Sequence, residues 1–187
     1  MSAVETIEVS LPDGTLKTLP AGSTSLDLAQ GIGSRLAKAA VAAVVDGVET
    51  DLTVELAAGA KVSIITAESE AGRHVLRHST AHVMAQAVVQ LFVGAKFTIG
   101  PAIEDGFYYD FELPGGKTFS DTDLAAITEK MREIIKADQS FTRDEMSAKA
   151  ALELFADQPY KCEIITRLTS GSADGTDASE VQGGDVV

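Results

Sequence analysis

The longest periodic segment of the chain, His74 to Phe92, constrains its fold most. Apolar residues recur there at helical spacing, which predicts one long amphipathic helix. At about 100° per residue, Leu76, Thr80, Val83, Ala87 and Leu91 form one stripe, the expected core face. His78 and His82 form a separate stripe with Ala85 and Val89. Residues at i and i+4 stand one above the other on a helix, so the two imidazoles are neighbours. Ala85 is small and leaves space beside them, as a helix lining a cleft would.

A bare i, i+4 histidine pair supports three readings. It can give two metal ligands, as in the metalloprotease pattern, where a glutamate follows the first histidine as base. Here Ser79 holds that place, so that pattern fails. It can give a base and a substrate-orienting group, because histidine titrates near neutral pH. It can also be structural, with both rings packed or capping backbone. The pair alone leaves these open.

The flanking segments predict a mixed architecture. Thr6 to Leu11 alternates around Ile7, Val9 and Leu11, and Asp13-Gly14 separates it from Thr15 to Leu19. That is a hairpin signal. Ser25 is the expected cap of a helix from Leu26, with Asp27 in its first turn. Gly31 to Gly33 interrupts it, and the alanine-rich run Leu36 to Ala43 predicts a second short helical piece. Val44-Val45, Asp46-Gly47 and Val48 read as strand and turn, and Val62 to Thr66 as a last strand. Two strands, a helix and two more strands within about 65 residues fit a β-grasp domain.

Ala67 to Gly72 reads as a junction into the histidine helix, and Gly94 as the C-cap of that helix. Lys96 to Ile99 and Phe107 to Leu113 read as strands, with a turn at Pro114-Gly115-Gly116. Ser120 with Asp123 opens a capped helix whose expected apolar face is Leu124, Ile127, Met131, Ile134 and Ile135. Thr142 with Glu145 is the expected cap of another, carrying Met146, Ala150, Leu154 and Phe155. Tyr160 to Leu168 reads as a strand, with Tyr160, Cys162 and Ile164 on one face and Lys161, Glu163 and Ile165 on the other. Thr169 to Gly184 reads as a loop or disordered segment. Asp185-Val186-Val187 reads as the start of a further strand.

Two motifs now stand in order: Arg77-His78-Ser79-Thr80-Ala81-His82, then Gly100-Pro101-Ala102-Ile103-Glu104-Asp105-Gly106-Phe107-Tyr108-Tyr109-Asp110. Together they resemble the editing domain of threonyl-tRNA synthetases, and the stretch before them resembles the β-grasp TGS domain of the same family. The resemblance covers residues 4 to 168. It implies an α+β chain with a TGS-like domain at 1–66 and an editing domain at 67–187. It also implies hydrolysis of seryl-tRNA mischarged on the threonine tRNA. A missing methyl group is worth only about 1–3 kcal/mol of discrimination, so a second hydrolytic site lowers the error rate.

Residue by residue, His78 and His82 match the family's histidine pair. Lys161, in the Pro-Tyr-Lys context, matches its editing lysine. The roles implied are a water-positioning base, a substrate-orienting ligand and a cation for the developing oxyanion. Considered without the family, Lys161 would be a solvated strand lysine. Tyr108 and Tyr109 are expected as wall and core, and Cys162 as a buried residue that is not a nucleophile.

The family's later Asp-x-Cys-x-x-x-His segment has no counterpart here. It follows a stretch similar to Gly184-Asp185-Val186-Val187. The ATP- and threonine-binding core with its zinc, and the anticodon-binding domain, have no counterpart either. The chain is therefore expected to be the N-terminal part of a threonine–tRNA ligase with an incomplete editing site. It is expected to be a monomer as this fragment and a homodimer at full length. Two histidines are half of a four-ligand site, so no tightly bound zinc, and no cofactor, is expected. The alternative is a stand-alone, non-catalytic TGS-containing module that binds RNA or a partner.

Composition bears on the partner. The net charge is −13, from 15 basic and 28 acidic residues. No segment is basic, whereas nucleic-acid binding rests on Lys and Arg neutralising phosphates. A contact limited to the acceptor end of tRNA(Thr) needs few phosphates and is the expected one. One cysteine excludes an internal disulfide framework. With no signal-peptide pattern and no long apolar run, a cytoplasmic protein without a membrane segment is expected.

Overall fold

The computed structural model describes residues 5–139 and 144–170. The chain forms two compact units that divide between Leu76 and Arg77. The first opens with the antiparallel hairpin β1 (Thr6–Ser10) and β2 (Leu16–Pro20), paired from Thr6↔Pro20 to Ser10↔Leu16. Gly14 sits in its turn at φ 81°, a conformation that costs a glycine little. Helix α1 (Ser25–Ile32) and short helix α2 (Ser34–Ala39) follow, with Gly33 between them. Then come β3 (Ala40–Val45), β4 (Val48–Thr50) and β5 (Val62–Thr66), with β3 central and antiparallel to both neighbours. A parallel bridge, Ser10↔Lys61, joins the hairpin to the strand-β5 side. This is the β-grasp arrangement.

The turn between β3 and β4 is Asp46-Gly47, both at positive φ, as a two-residue hairpin with the right twist requires. Asp46 also accepts from the Lys61 backbone N–H at 2.9 Å, which pins the turn to the chain entering β5. The core of this unit is Val9, Leu28, Ala43, Leu56, Ala60 and Val62. The cap of α1 falls one residue earlier than expected. Thr24 and Asp27 form a reciprocal capping box, and Ser25 is the first helical residue, fully buried, with no hydrogen-bond partner for its Oγ among the described residues. Thr24 wins because a capping box needs its acidic partner three residues on, and Asp27 stands there.

Helix α3 (Glu70–Leu91) begins in the first unit and continues in the second. Among the described residues the second unit adds four two-residue strands: β6 (Lys96–Phe97), β7 (Ala102–Ile103), β8 (Gly106–Phe107) and β9 (Phe111–Glu112). They pair antiparallel as β6–β9 and β7–β8. The single strand expected from Phe107 to Leu113 is thus two strand ends, broken at Tyr108 to Asp110. Helices α4 (Asp121–Ala137), α5 (Ala148–Leu154) and α6 (Pro159–Thr169) follow. Its core joins Ala87, Val88, Ala95, Leu113, Ile127 and Ile134.

Several expectations are corrected here. Tyr160 to Leu168 is helical. Pro159 occupies the first helical position, where its missing N–H costs nothing and its φ suits a helix. Glu163 and Arg167 then pair at i, i+4. On α3 the buried residues are Gly72, Ala81, Ala85, Ala87 and Val88, whereas Leu76 and Leu91 are exposed. Of the expected face, Ala87 is buried and Val83 packs against the same core, but Ala85 belongs to the packing face too. On α4, Ile127 and Ile134 are buried, but Leu124 and Ile135 are exposed. Its cap, Ser120 with Asp123, is as expected. The cap of α5 is Ser147, so Glu145 and Met146 precede the helix. The expected cap Thr142, the loop beyond Ser170 and the strand start at 185–187 lie outside the described residues. Gly94, at φ 87°, turns the chain three residues after α3 ends, with the Ala95 N–H donating to the Phe92 carbonyl.

Candidate functional site

Within the second unit, α3 presents His78 and His82 one turn apart. Their Nε2 atoms stand 2.8 Å from each other, and the rings meet edge to face with centroids 4.5 Å apart. Both side chains are half-buried. Ala81 and Ala85 are buried beside them, whereas the imidazoles are only half-buried. An Nε2–Nε2 contact of this length needs one proton: one ring donates and the other accepts. Such a pair can position a water molecule and take its proton.

Arg77, immediately before the pair, donates from Nη1 to the Ile103 carbonyl at 3.3 Å. This ties the β7–β8 hairpin to α3 next to the histidines. The second motif of the sequence is thus placed beside the first. Behind that hairpin, Gly100 lies flat on the Tyr109 ring. A Cβ at Gly100 would stand 2.0 Å from a ring carbon, so only glycine permits the approach. Tyr109 stacks on Phe111 at 5.0 Å and meets Phe97 edge to face at 6.1 Å. Burial pushes its phenol up to about 12. Tyr109 is half-buried, a wall residue rather than part of the buried core, and Tyr108, expected as wall and core too, is exposed instead.

Lys161 lies in the first turn of α6 and is only 5% exposed. It is not the solvated strand lysine that the residues alone suggest. Its Nζ stands 5.2 Å from the centroid of the Phe97 ring, a cation–π arrangement. Burial lowers its pKa from the ordinary value. Among the described residues it hydrogen-bonds to neither histidine. The structure therefore joins His78 to His82 directly and places Lys161 on the aromatic cluster of the same unit. Cys162 is half-buried, next to Lys161 on the same helix, and its thiol donates to the Phe155 carbonyl at 3.1 Å. That contact is structural.

One group of residues escaped the sequence reading. Glu112 accepts from Lys96 at 2.9 Å and from the Tyr160 hydroxyl at 2.6 Å. Lys96 and Glu112 are directly opposed across β6 and β9. A cross-strand charge pair is a recognisable signal, but strands of two residues give no alternation from which to read register.

Comparison with known proteins places these features in context. A family model described as TGS domain matches residues 7–66. The threonine–tRNA ligase of Citrifermentans bemidjiense is 51% identical over 164 residues, 87% of this chain and 26% of the relative. Those of Rubrobacter xylanophilus and Maricaulis maris are each 46% identical, over 86% and 87% of this chain and 25% of each relative. The chain is homologous to the N-terminal region of threonine–tRNA ligases. It spans about a quarter of the length of the curated relatives it matches. The homologous region covers both the TGS domain and the segment that follows it.

Among the described residues, no group of three or more His, Cys, Asp or Glu side chains is arranged to hold a metal ion. No helix among them is long and apolar enough to cross a membrane.

Proposed function

We propose that the chain supplies the acceptor-end contact and hydrolytic editing residues of a threonine–tRNA ligase, acting on seryl-tRNA(Thr). The observation that carries this reading is the His78–His82 contact at 2.8 Å, on the helix that follows a TGS domain. One imidazole holds a water molecule and takes its proton as the oxygen attacks the seryl ester carbonyl. The other orients the substrate. The Lys161 ammonium steadies the oxyanion, and its low-dielectric setting strengthens that attraction. The ester C–O bond then breaks, the ribose oxygen takes the proton back, and serine and uncharged tRNA leave. Residues 1–66 and 67–187 are the corresponding domains, the first for RNA or partner contact and the second for hydrolysis. The protein acts in the cytoplasm, where tRNA is charged.

The net charge of −13 supports a contact confined to the tRNA terminus, because a wide phosphate-binding surface would need a basic face. A second reading is a non-catalytic binding module. It is favoured by one observation: among the described residues Lys161 makes no hydrogen bond to the histidine pair.

Deacylation of seryl-tRNA(Thr), followed on the protein as its cell makes it, separates the two. The editing reading predicts ester hydrolysis above the rate in buffer, reduced in H78A. Binding of tRNA(Thr) with no acceleration of hydrolysis would select the binding module instead.

A further inference from the structure

Among the described residues, the contact recorded for the Lys161 ammonium is the face of the Phe97 ring. A lysine has four rotatable side-chain bonds, and the face of Phe97 does not by itself fix where the ammonium stands. Its position depends on the backbone that carries it, the first turn of α6. That turn is tied down twice, just before Lys161. At the N-cap, Gln158 Nε2 donates to the Ala95 carbonyl at 3.2 Å. One residue before Lys161, the Tyr160 hydroxyl donates to Glu112 Oε2 at 2.6 Å. The second oxygen of Glu112, Oε1, takes Lys96 Nζ at 2.9 Å. Lys96 immediately precedes Phe97 on β6, so the ladder that supplies the ring also supplies the tie.

We infer that Glu112 is a positioning residue, whose two carboxylate oxygens bind Lys96 and Tyr160, hold the first turn of α6 on β6–β9, and so set where the Lys161 ammonium stands. The inference rests on the reading of Lys161 as the cation of the site.

Two physical points separate positioning from simple stabilisation. Lys96 and Glu112 are well exposed, with side-chain exposures of 38% and 49%, and exposed ion pairs contribute little to folding. Losing the pair should scarcely lower overall stability. The geometry is nevertheless directional, because each carboxylate oxygen has its own donor and Tyr160 is adjacent to Lys161. The charge states support the clamp. Hydrogen bonds from Tyr160 and Lys96 hold the Glu112 carboxyl below its usual range. Glu112 in turn raises the pKa of both donors. The bridge therefore stays intact through the neutral range.

The test is acylation of the intact protein with acetic anhydride, with Lys161 labelling measured by mass spectrometry against the exposed Lys117. In the native protein Lys161, being buried, should label slowly. Glu112→Leu and Tyr160→Phe should each raise its labelling several-fold. Glu112→Gln should fall between, because the amide oxygen still accepts from Tyr160. The double variant E112L/Y160F should exceed neither single one, since both remove the same tie. Thermal melts should move little. Unchanged Lys161 labelling in both E112L and Y160F would overturn the inference. Seryl-tRNA(Thr) hydrolysis, read alongside, should lose kcat with KM kept in E112L. If the native protein hydrolyses nothing, the editing reading fails while the labelling result still decides the role of Glu112.

Discussion

His78 Nε2 and His82 Nε2 share one short contact, 2.8 Å, across a single turn of α3. Two imidazolium rings cannot make it, since each would offer only a donor. The two side chains therefore act as one unit holding one proton between them. Groups that act as a unit give non-additive losses. H78A and H82A should each lower hydrolysis of seryl-tRNA(Thr) by about 10²–10⁴-fold, the usual contribution of a positioned base. The double variant should be no slower than the slower single one. Single-turnover rates check this, and strictly additive losses would show two independent residues.

Lys161 should cost the fold stability. Burial lowers its pKa below the ordinary 10.5, so the unfolded chain binds this proton more tightly than the folded one. Between the lowered folded value and 10.5, the unfolded state carries more protons, and stability gained from this group rises with pH. Lys161→Met keeps the length of the side chain and removes the charge. Urea denaturation should find this variant at least as stable as the native protein at neutral pH. It should also lack the native gain in stability between the lowered folded value and 10.5. A less stable variant with an unchanged alkaline profile would contradict the burial argument.

Tyr109 gives the opposite alkaline trend. Its folded-state pKa of about 12 exceeds the ordinary 10.0. Its contribution is full below 10.0 and is lost as pH rises through about 12. Allowing for partial exposure of the ring, the loss is about 1–2 kcal/mol. Tyr109→Phe should abolish that limb, as read by denaturation midpoints across the range.

Glycine substitutions in two helices should differ in sign. A Cβ at Gly72 in α3 would stand 1.9 Å from the Thr66 carbonyl oxygen, which is backbone and cannot swing away. Helix propensity alone favours alanine by about 1 kcal/mol, yet Gly72→Ala should destabilise by about 1–3 kcal/mol, as overpacking does. At Gly31 in α1 nothing lies within 4 Å. There propensity is unopposed, and Gly31→Ala should stabilise by up to about 1 kcal/mol. Thermal melts of the two variants give the comparison directly.

What could be read from the residues follows from how local each determinant is. The hairpins around Gly14 and Asp46-Gly47, and the Ser120–Asp123 capping box, depend on chemistry within a few residues, and all were legible. The region from Pro159 to Thr169 was misread because Ile164, Ile165 and Thr166 favour strands. The proline at its first turn was the local signal for a helix. On α3 the expected core face is right at Ala87, which is buried, and at Val83, which packs against the same core. It fails at Leu76 and Leu91, which are exposed, while the smaller Ala81 and Ala85 are buried. The histidine pair needed only helical spacing. The bridge from Glu112 to Tyr160 spans 48 positions and connects two-residue strands to a helix, so no local pattern announces it.

An editing site must tell serine from threonine by one methyl group. Deacylation of seryl-tRNA(Thr) and threonyl-tRNA(Thr) by the protein as its cell makes it, with H78A in parallel, tests this first. Serine should be released faster than threonine, with the excess lost in H78A. Equal rates on the two esters, or serine release indifferent to His78, would refute an editing role for this chain.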